Sequence, residues 1–491
     1  MKQHLSLFLV VALWHSLALA QIEKENSLRW FQGGTVTADF SFRTDMFSGI
    51  GSKAYMGCAS MNSDASAIYW NPATLAFRTN RQVLVSFMPP LSLSIANWYD
   101  IAGQVRTSVD NAIADYRLSE TGITYPTVTP VVRHRGGINT AVIVMPLSRW
   151  LARTVLGLGY SRALELQMNL VANGISSLLE TRKNIGTQTM VVKFRNSIDA
   201  NVESRAAINR FSVAAAHQWT PILATGITLD RYFGEVLFNG DFRIDGIMET
   251  AGSEFAFNDP YDPHINFEEG EQNNLNQSIY CSFKGNAWGV KLGADYHLRP
   301  NLSFAAMVEI APTLTLSGVM DVDNNIIPAL NSDVLLGNSE EEIMDPSKLD
   351  LAKLTLTVPY ENPTDDRLIL RFPSSANFGV TYRWACITGS LQVTGYFGEL
   401  SYATLGTRRG ADFKWSLRNG LDFKYVQIGL GVVAVDEIRE GTDDDAGAVE
   451  NILIPQCSLG TGFSLGRFAR TETQAFIAPT PVFKQVLLFN F

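Results

Sequence analysis

Trp288–His297 reads WGVKLGADYH, and its side chains fall into two sets. Trp288, Val290, Leu292, Ala294 and Tyr296 share one parity; Gly289, Lys291, Gly293, Asp295 and His297 share the other. A period of two residues is the mark of a β-strand with one apolar face. Aromatic residues open and close that face over about nine residues, the length with which a tilted strand crosses a bilayer. Transmembrane barrels carry such aromatic girdles at both interfaces.

The pattern continues outward from there. After a turn at Leu298–Asn301, the residues Leu302, Phe304, Ala306, Val308 and Ile310 alternate with Ser303, Ala305, Met307 and Glu309, which predicts a hairpin. SSANFGVTYRW (374–384) alternates likewise through Ala376, Phe378, Val380, Tyr382 and Trp384, and a short turn is expected near Thr388-Gly389. LRNGLDF (417–423) contains Asn419-Gly420, and Asn-Gly is the strongest short hairpin signal. Long polar connections are expected from Gly318, Gly406 and Asp436 onward.

Short turns on one side and long loops on the other are the habit of transmembrane barrels, the turns being periplasmic. With the turns at Arg299, Thr388, Asn419 and Arg467–Thr471 on that side, the last strand ends in the periplasm. That strand, KQVLLFNF (484–491), puts Leu487, Phe489 and Phe491 on one face, and its terminal aromatic resembles the assembly signal of bacterial outer-membrane barrels. About nine strands are expected from Cys281 onward and about five to seven between Gln82 and Tyr280; an even total then means about 14, or 16. The predicted fold class is all-β, a transmembrane antiparallel β-barrel. A secreted sandwich or propeller would share the alternation, but not the combination of leader, aromatic flanks, turn parity and terminal Phe491.

The leader is MKQHLSLFLVVALWHSLALA, with Lys2, an apolar run and the small-residue site Ala18-Leu19-Ala20. It reads as a secretory signal peptide, 1–20, cleaved before Gln21; no cysteine follows to take a lipid anchor. Beyond it no apolar run reaches the ~18 residues that a membrane helix needs, and no linker divides the chain. The net charge of -9 argues against nucleic acid as a partner. Cys58, Cys281, Cys386 and Cys457 are scattered, without metal-ligand spacing, and read as isolated packing residues.

Several motifs carry less than they promise. Gly462-Phe463-Ser464-Leu465-Gly466 spells the nucleophile elbow of hydrolases, yet it sits in an alternating strand rather than at a strand-turn-helix. Asp321-Val322-Asp323-Asn324-Asn325 begins like a calcium loop but has Ile326 and Ser332 where glycine and a bidentate glutamate belong. Asp443, Asp444 and Asp445 read as solvated charge with at most a weak cation-bridged contact to lipopolysaccharide. The six histidines form no HExxH. Asp345-Pro346 before SKLDLAKL reads as the start of a short loop helix bearing Leu349, Leu351 and Leu354. The chain is expected to be no enzyme and to need neither metal nor cofactor.

GIGSKAYMGCASMNSDASAIYWNPATLAF (49–77) remains. Gly49, Gly51, Gly57, the Asp64-Ala65-Ser66 run and Asn71-Pro72-Ala73 resemble the N-terminal segment of the FadL/TodX family of outer-membrane transporters. That resemblance implies a hatch, 21–80, plugging a barrel formed by 81–491, with Asn71, Pro72 and Ala73 in its gate. It implies passive uptake of long-chain fatty acids or other hydrophobic compounds, such as aromatic hydrocarbons, in the outer membrane, among its lipid and lipopolysaccharide. Small residues suit tight packing in a lumen, and Pro72 confines Asn71 to extended backbone. Thr74 departs from the family, where glycine is common. RFPSSANFGVTYRW (371–384) looks like a late strand of the same family. Tyr69-Trp70 before Asn71 also resembles the PorV-type barrel of type IX protein secretion, the alternative.

Overall fold

The computed structural model describes residues 27–44, 64–94, 103, 106–107, 123–134, 136–147, 153–185, 188–250, 253–256, 275–324, 367–404, 407–423, 425–441, 452–466, 468–477 and 481–491. The leader, Gly49, Gly51, Gly57 and the expected loop helix lie outside them.

Two strands, β1 (Ser27–Gln32) and β2 (Thr35–Thr44), come first. The wall begins with β3 (Gln82–Met88), prolonged past Pro89-Pro90 by β4 (Leu91–Ser94). Its second strand is made of β5 (Ile123–Thr124), β6 (Thr127–His134) and β7 (Gly137–Pro146). Three long strands follow, β8 (Thr154–Ile185), β9 (Gln188–Thr220) and β10 (Leu223–Thr250), the last with β11 (Ser253–Ala256) folded back on its tip. Next come β12 (Leu275–Arg299), then β13 (Leu302–Ile310) continued by β14 (Thr313–Asn324), and β15 (Arg367–Arg371) continued by β16 (Ser374–Trp384). β17 (Ile387–Phe397) runs on into β18 (Glu399–Thr404). β19 (Thr407–Asp422), β20 (Val426–Gly441), β21 (Ile452–Leu465), β22 (Ala469–Ile477) and β23 (Pro481–Asn490) complete the wall.

Each wall strand pairs antiparallel with the next, and β23 pairs back onto β3, so about 14 strands close into a ring. Connections at one end are tight, as at Pro300-Asn301, Ala385-Cys386 and Phe423–Tyr425; this turn end also holds Phe491. The strands that flank 95–122, 325–366 and 442–451 in the chain end at the opposite, loop end. Closure leaves no free edge in the ring.

The alternation read from the sequence sets inside and outside. Trp288, Leu292 and Tyr296 face out, exposed by 61%, 50% and 39%, whereas Lys291 and Asp295 face in, almost wholly buried. Outward Leu, Ile, Val and aromatic side chains recur on every side of the ring, from Ile143 and Leu158 to Phe378, Leu430 and Phe463. An apolar exterior around a closed ring is what a lipid-embedded barrel requires.

Three sequence expectations need correction. The turn expected near Thr388-Gly389 falls at Ala385-Cys386, and those two residues pair within β17, Thr388 with Arg383 and Gly389 with Tyr382. Asn419-Gly420 is no turn: it lies inside β19, where Asn419 pairs with Leu391 on one side and Leu430 on the other. Asn-Gly is a local preference, and pairing on both edges outweighs it; the chain turns at Phe423–Tyr425. Nor does a long loop follow Gly406, because Thr404 already pairs with Thr407.

Two departures from a plain barrel shape the interior. β2 lies in the wall, parallel to β6 and antiparallel to β8, and separates those strands toward the loop end, while β7 and β8 pair directly toward the turn end. The second departure is on the far side. β12 follows β13 as far as Val290↔Ile310 and resumes with β14 only at Lys284↔Ser317. Pro312 and Pro373 lack the N–H that a ladder uses, and the chain there bows over the inner face. Gly234 and Gly285, a directly paired couple, make room for it: a Cβ on Gly285 would lie 2.2 Å from the Thr315 carbonyl oxygen.

Candidate functional site

Asp64–Phe77 lies inside the ring. Asp64 Oδ1 accepts from the Ser66 N–H at 2.8 Å and from Ser66 Oγ at 2.5 Å, folding the chain into the single helical turn α1 (Ala67–Trp70). Asn71 then breaks the helix with φ -156° and ψ 102°, the extended backbone that Pro72 imposes. Its Oδ1 accepts from the Ala73 N–H at 3.1 Å and so caps the 3₁₀ turn Pro72–Phe77.

The insert packs on inward-facing residues of β3, β7, β8, β9, β10 and β23. Ala65, Ile68, Trp70 and Leu75 form one cluster with Leu84, Val142, Val155, Ala214, Ala224 and Val486. Full burial of side chains the size of Ile68 or Leu75 stabilises by about 1.5–3 kcal/mol each. Polar contacts fix the register: Asn71 Nδ2 donates to the Ala294 carbonyl oxygen at 3.0 Å, and Thr228 Oγ1 to that of Ile68 at 3.1 Å. Asn71, Pro72 and Ala73 sit over the cross-strand pair Gly226↔Gly293. A Cβ on Gly293 would lie 2.0 Å from Asn71 Oδ1, and one on Gly226 2.6 Å from Ala73 N.

On the loop side of the insert is a cavity of about 100 Å³. Tyr69 and Trp70 of the insert line it together with Ala311, Phe372 and Pro373 of the bowed wall. Arg210 and Arg418 line it too, their guanidinium carbons 4.6 Å from the Tyr69 ring centre and 5.9 Å from that of Trp70. Each arginine is thus shared between the insert and the cavity.

Arg210 belongs to a buried polar network. Its Nε donates to Ser161 Oγ at 3.2 Å and its Nη1 to the Tyr232 hydroxyl at 3.3 Å; that hydroxyl donates to Glu309 Oε1 at 3.4 Å. Lys291 Nζ reaches Asp230 Oδ2 at 2.5 Å and Glu309 Oε1 at 2.9 Å, and Ser212 Oγ donates to Asp230 Oδ1. Two cations and two carboxylates balance. Charges removed from water persist when paired in this way.

Further toward the loops Leu314, Leu316, Phe283, Leu368 and Ile208 form a buried apolar cluster inside the ring that reaches Phe372. Phe372 stacks with Tyr232 at 6.1 Å between ring centres. A buried apolar cluster therefore lies on the loop side of the cavity and meets it at Phe372.

The sequence named the consecutive residues Asn71, Pro72 and Ala73, and the fold places them against Gly226 and Gly293. It did not name Arg210, Arg418, Asp230 or Lys291. Their signal was present as charge on the inward parity of strands whose outward parity is apolar, as Lys291 shows in the opening stretch. Gly462–Gly466 ends one strand and turns into the next, without the helix an elbow needs. Among the described residues no group of His, Cys, Asp and Glu could hold a metal.

No family model matches the chain, and no curated protein does. Solved structures are similar in fold at low identity. A Pseudomonas aeruginosa FadL homologue is 10% identical, over 95% of this chain and 98% of that one, with a TM-score of 0.44. The monoaromatic hydrocarbon channel CymD is 12% identical, over 91% and 98%, with a TM-score of 0.44. The Ralstonia pickettii toluene transporter TbuX is 11% identical, over 87% and 93%, with a TM-score of 0.38.

Proposed function

We propose that this chain is an outer-membrane barrel for passive uptake of hydrophobic compounds, with Asp64–Phe77 as its hatch. The observation that carries the reading is the apolar cluster of Leu314, Leu316, Phe283 and Leu368 inside the ring. A water-filled pore has a polar interior; this one packs hydrocarbon inside the ring on the loop side of the cavity, and Phe372 of that cluster lines the cavity. A greasy ligand gains by leaving water for the cavity walled by Ala311, Phe372 and Pro373, and stops where Tyr69 and Trp70 close it.

Arg210 and Arg418 at the cavity favour an amphipathic ligand with an anionic head, a long-chain fatty acid, over a bare aromatic hydrocarbon. A guanidinium on an aromatic ring is weakly hydrated and can present its fork to a carboxylate. Passage onward requires Asn71-Pro72-Ala73 to leave the Gly226–Gly293 recess, which makes them the gate.

The test is uptake of labelled oleate and labelled toluene by cells with and without the protein. Oleate uptake is expected to depend on the protein and to fall in Arg418→Gln while toluene uptake does not. Uptake of neither compound above the level of cells lacking the protein, with loss of secreted proteins instead, would replace this reading by the secretion alternative.

A further inference from the structure

On the outward face, four directly paired residues of four adjacent strands form a row: Tyr160, Phe211, Arg231 and Trp288. The row toward the turn end is Leu158, Val213, Leu229 and Val290, all apolar. In the row toward the loops stand Arg162, Asn209, Phe233 and Asn286. The aromatic row therefore marks the loop-side border of the apolar band, the level at which interfacial aromatics sit.

Arg231 stands out in that row. Its guanidinium carbon is 5.1 Å from the Phe233 ring centre and 5.3 Å from that of Trp288. Its Nε is buried without a hydrogen-bond partner, and among the described residues no carboxylate pairs with it. The cations beside it are matched: Arg162 with Glu165 at 3.0 Å, and Lys284 with Glu235 at 2.9 Å. Among the described residues, this corner of the wall carries one positive charge without an anionic partner.

We propose that Arg231, held between Phe233 and Trp288, is a binding site for the phosphate of a lipid in the leaflet at the loop end. Given the outer-membrane reading above, on which this rests, the lipid is the phosphorylated glycolipid of the outer leaflet, lipopolysaccharide. The chemistry is complementary at both ends of the lipid. The guanidinium fork matches two phosphate oxygens in a bidentate, charge-assisted pair. The rings and the Leu229 row contact the start of the acyl chains, as amphipathic side chains do at this depth.

The experiment is native mass spectrometry of the full chain in detergent micelles with added bisphosphorylated lipid A, compared with the same lipid stripped of phosphate. The wild type is expected to retain lipid A and not the stripped probe. Arg231→Gln should lower retention by about tenfold or more, the range of a lost charge-assisted bond, Arg231→Lys should retain part of it, and Lys284→Gln should change it little. Equal retention by Arg231→Gln, equal loss in Lys284→Gln, or equal binding of the stripped probe overturns the proposal. Heat-modifiable migration of each variant is read first: a wild type that forms no barrel in micelles overturns the membrane reading itself, whereas a folded barrel indifferent to Arg231 overturns the lipid site alone.

Discussion

The Asn71 side-chain amide donates to the Ala294 carbonyl oxygen at 3.0 Å and so ties the insert to a wall strand 223 positions later in the chain. The same side chain caps Pro72–Phe77 through Ala73, so one residue both shapes the insert and anchors it. Asn71→Ala removes both bonds and should loosen the insert by about 1–3 kcal/mol. Gly293→Val should go further, because its Cβ would occupy the place of Asn71 Oδ1. Both barrels should still assemble, and conductance in planar bilayers should rise, more in Gly293→Val. Conductance equal to that of the wild type in both would show that the insert does not close the lumen.

Pro72→Gly tests the backbone instead. Proline limits the conformations open to the unbound segment, and glycine restores them, while the wall is untouched. Protein abundance should stay level, and labelled fatty-acid uptake should change as the gate becomes poorly held. Unchanged uptake at equal abundance would remove Asn71-Pro72-Ala73 from the gating step.

Much of the wall was legible because alternation is local. Trp288 and Tyr296 announced their outward face from ten consecutive residues, and the Pro300-Asn301 turn followed. What was hidden depends on partners far away in the chain. Asn419-Gly420 looked like a turn because nothing near it shows that Leu391 and Leu430 hold it on both edges. The parallel pairing of β2 with β6 is no local signal either; it exists only because β6 and β8 separate there. The insert was visible through Asn71-Pro72-Ala73, whereas Arg210 and Arg418 were two unremarkable cations until closure brought them to the Tyr69 and Trp70 rings.

The charge network makes a non-additive prediction. Lys291 is the common partner of Asp230 and Glu309. Lys291→Met leaves two carboxylates and one cation, Arg210, inside the wall, and should destabilise by about 3–5 kcal/mol, the usual cost of stranding a buried charge. Lys291→Met with Asp230→Leu restores the balance and should recover part of the loss. Urea unfolding followed by tryptophan fluorescence checks this; a double variant weaker than the single one would show that the ion pairs are not the unit of stability.

Topology can be read with protease on intact cells. Cleavage is expected within 325–366 and 442–451, at the loop end, and is not expected at Pro300-Asn301, Phe423–Tyr425 or Asn419-Gly420. The first two sites face the periplasm in the proposed orientation, and the third is sheltered within β19. A cut at Pro300-Asn301 in intact cells would invert the barrel.

The last prediction concerns the seam where the ring closes. β23 pairs with β3 from Gln485↔Phe87 to Asn490↔Gln82, and the Gln82 amide donates to Asn490 Oδ1 at 2.7 Å. Phe491 extends the seam by one further bond, its N–H donating to the Arg81 carbonyl oxygen at 2.9 Å, while its ring lies 6.5 Å from that of Phe489 and remains 70% exposed. An aromatic left on the outer surface at the turn end adds little to core packing, so its contribution belongs to the interface and to closure of the ring. Deleting Phe491 removes the bond and the outer ring together but leaves every pair from Asn490 inward. The folded barrel, once formed, should therefore unfold at nearly the same urea concentration, whereas the amount that reaches the heat-modifiable form in cells should fall. Unchanged assembly would mean that the terminal aromatic has no part in closing the barrel; a large fall in urea resistance of the assembled protein would mean that its role is structural instead.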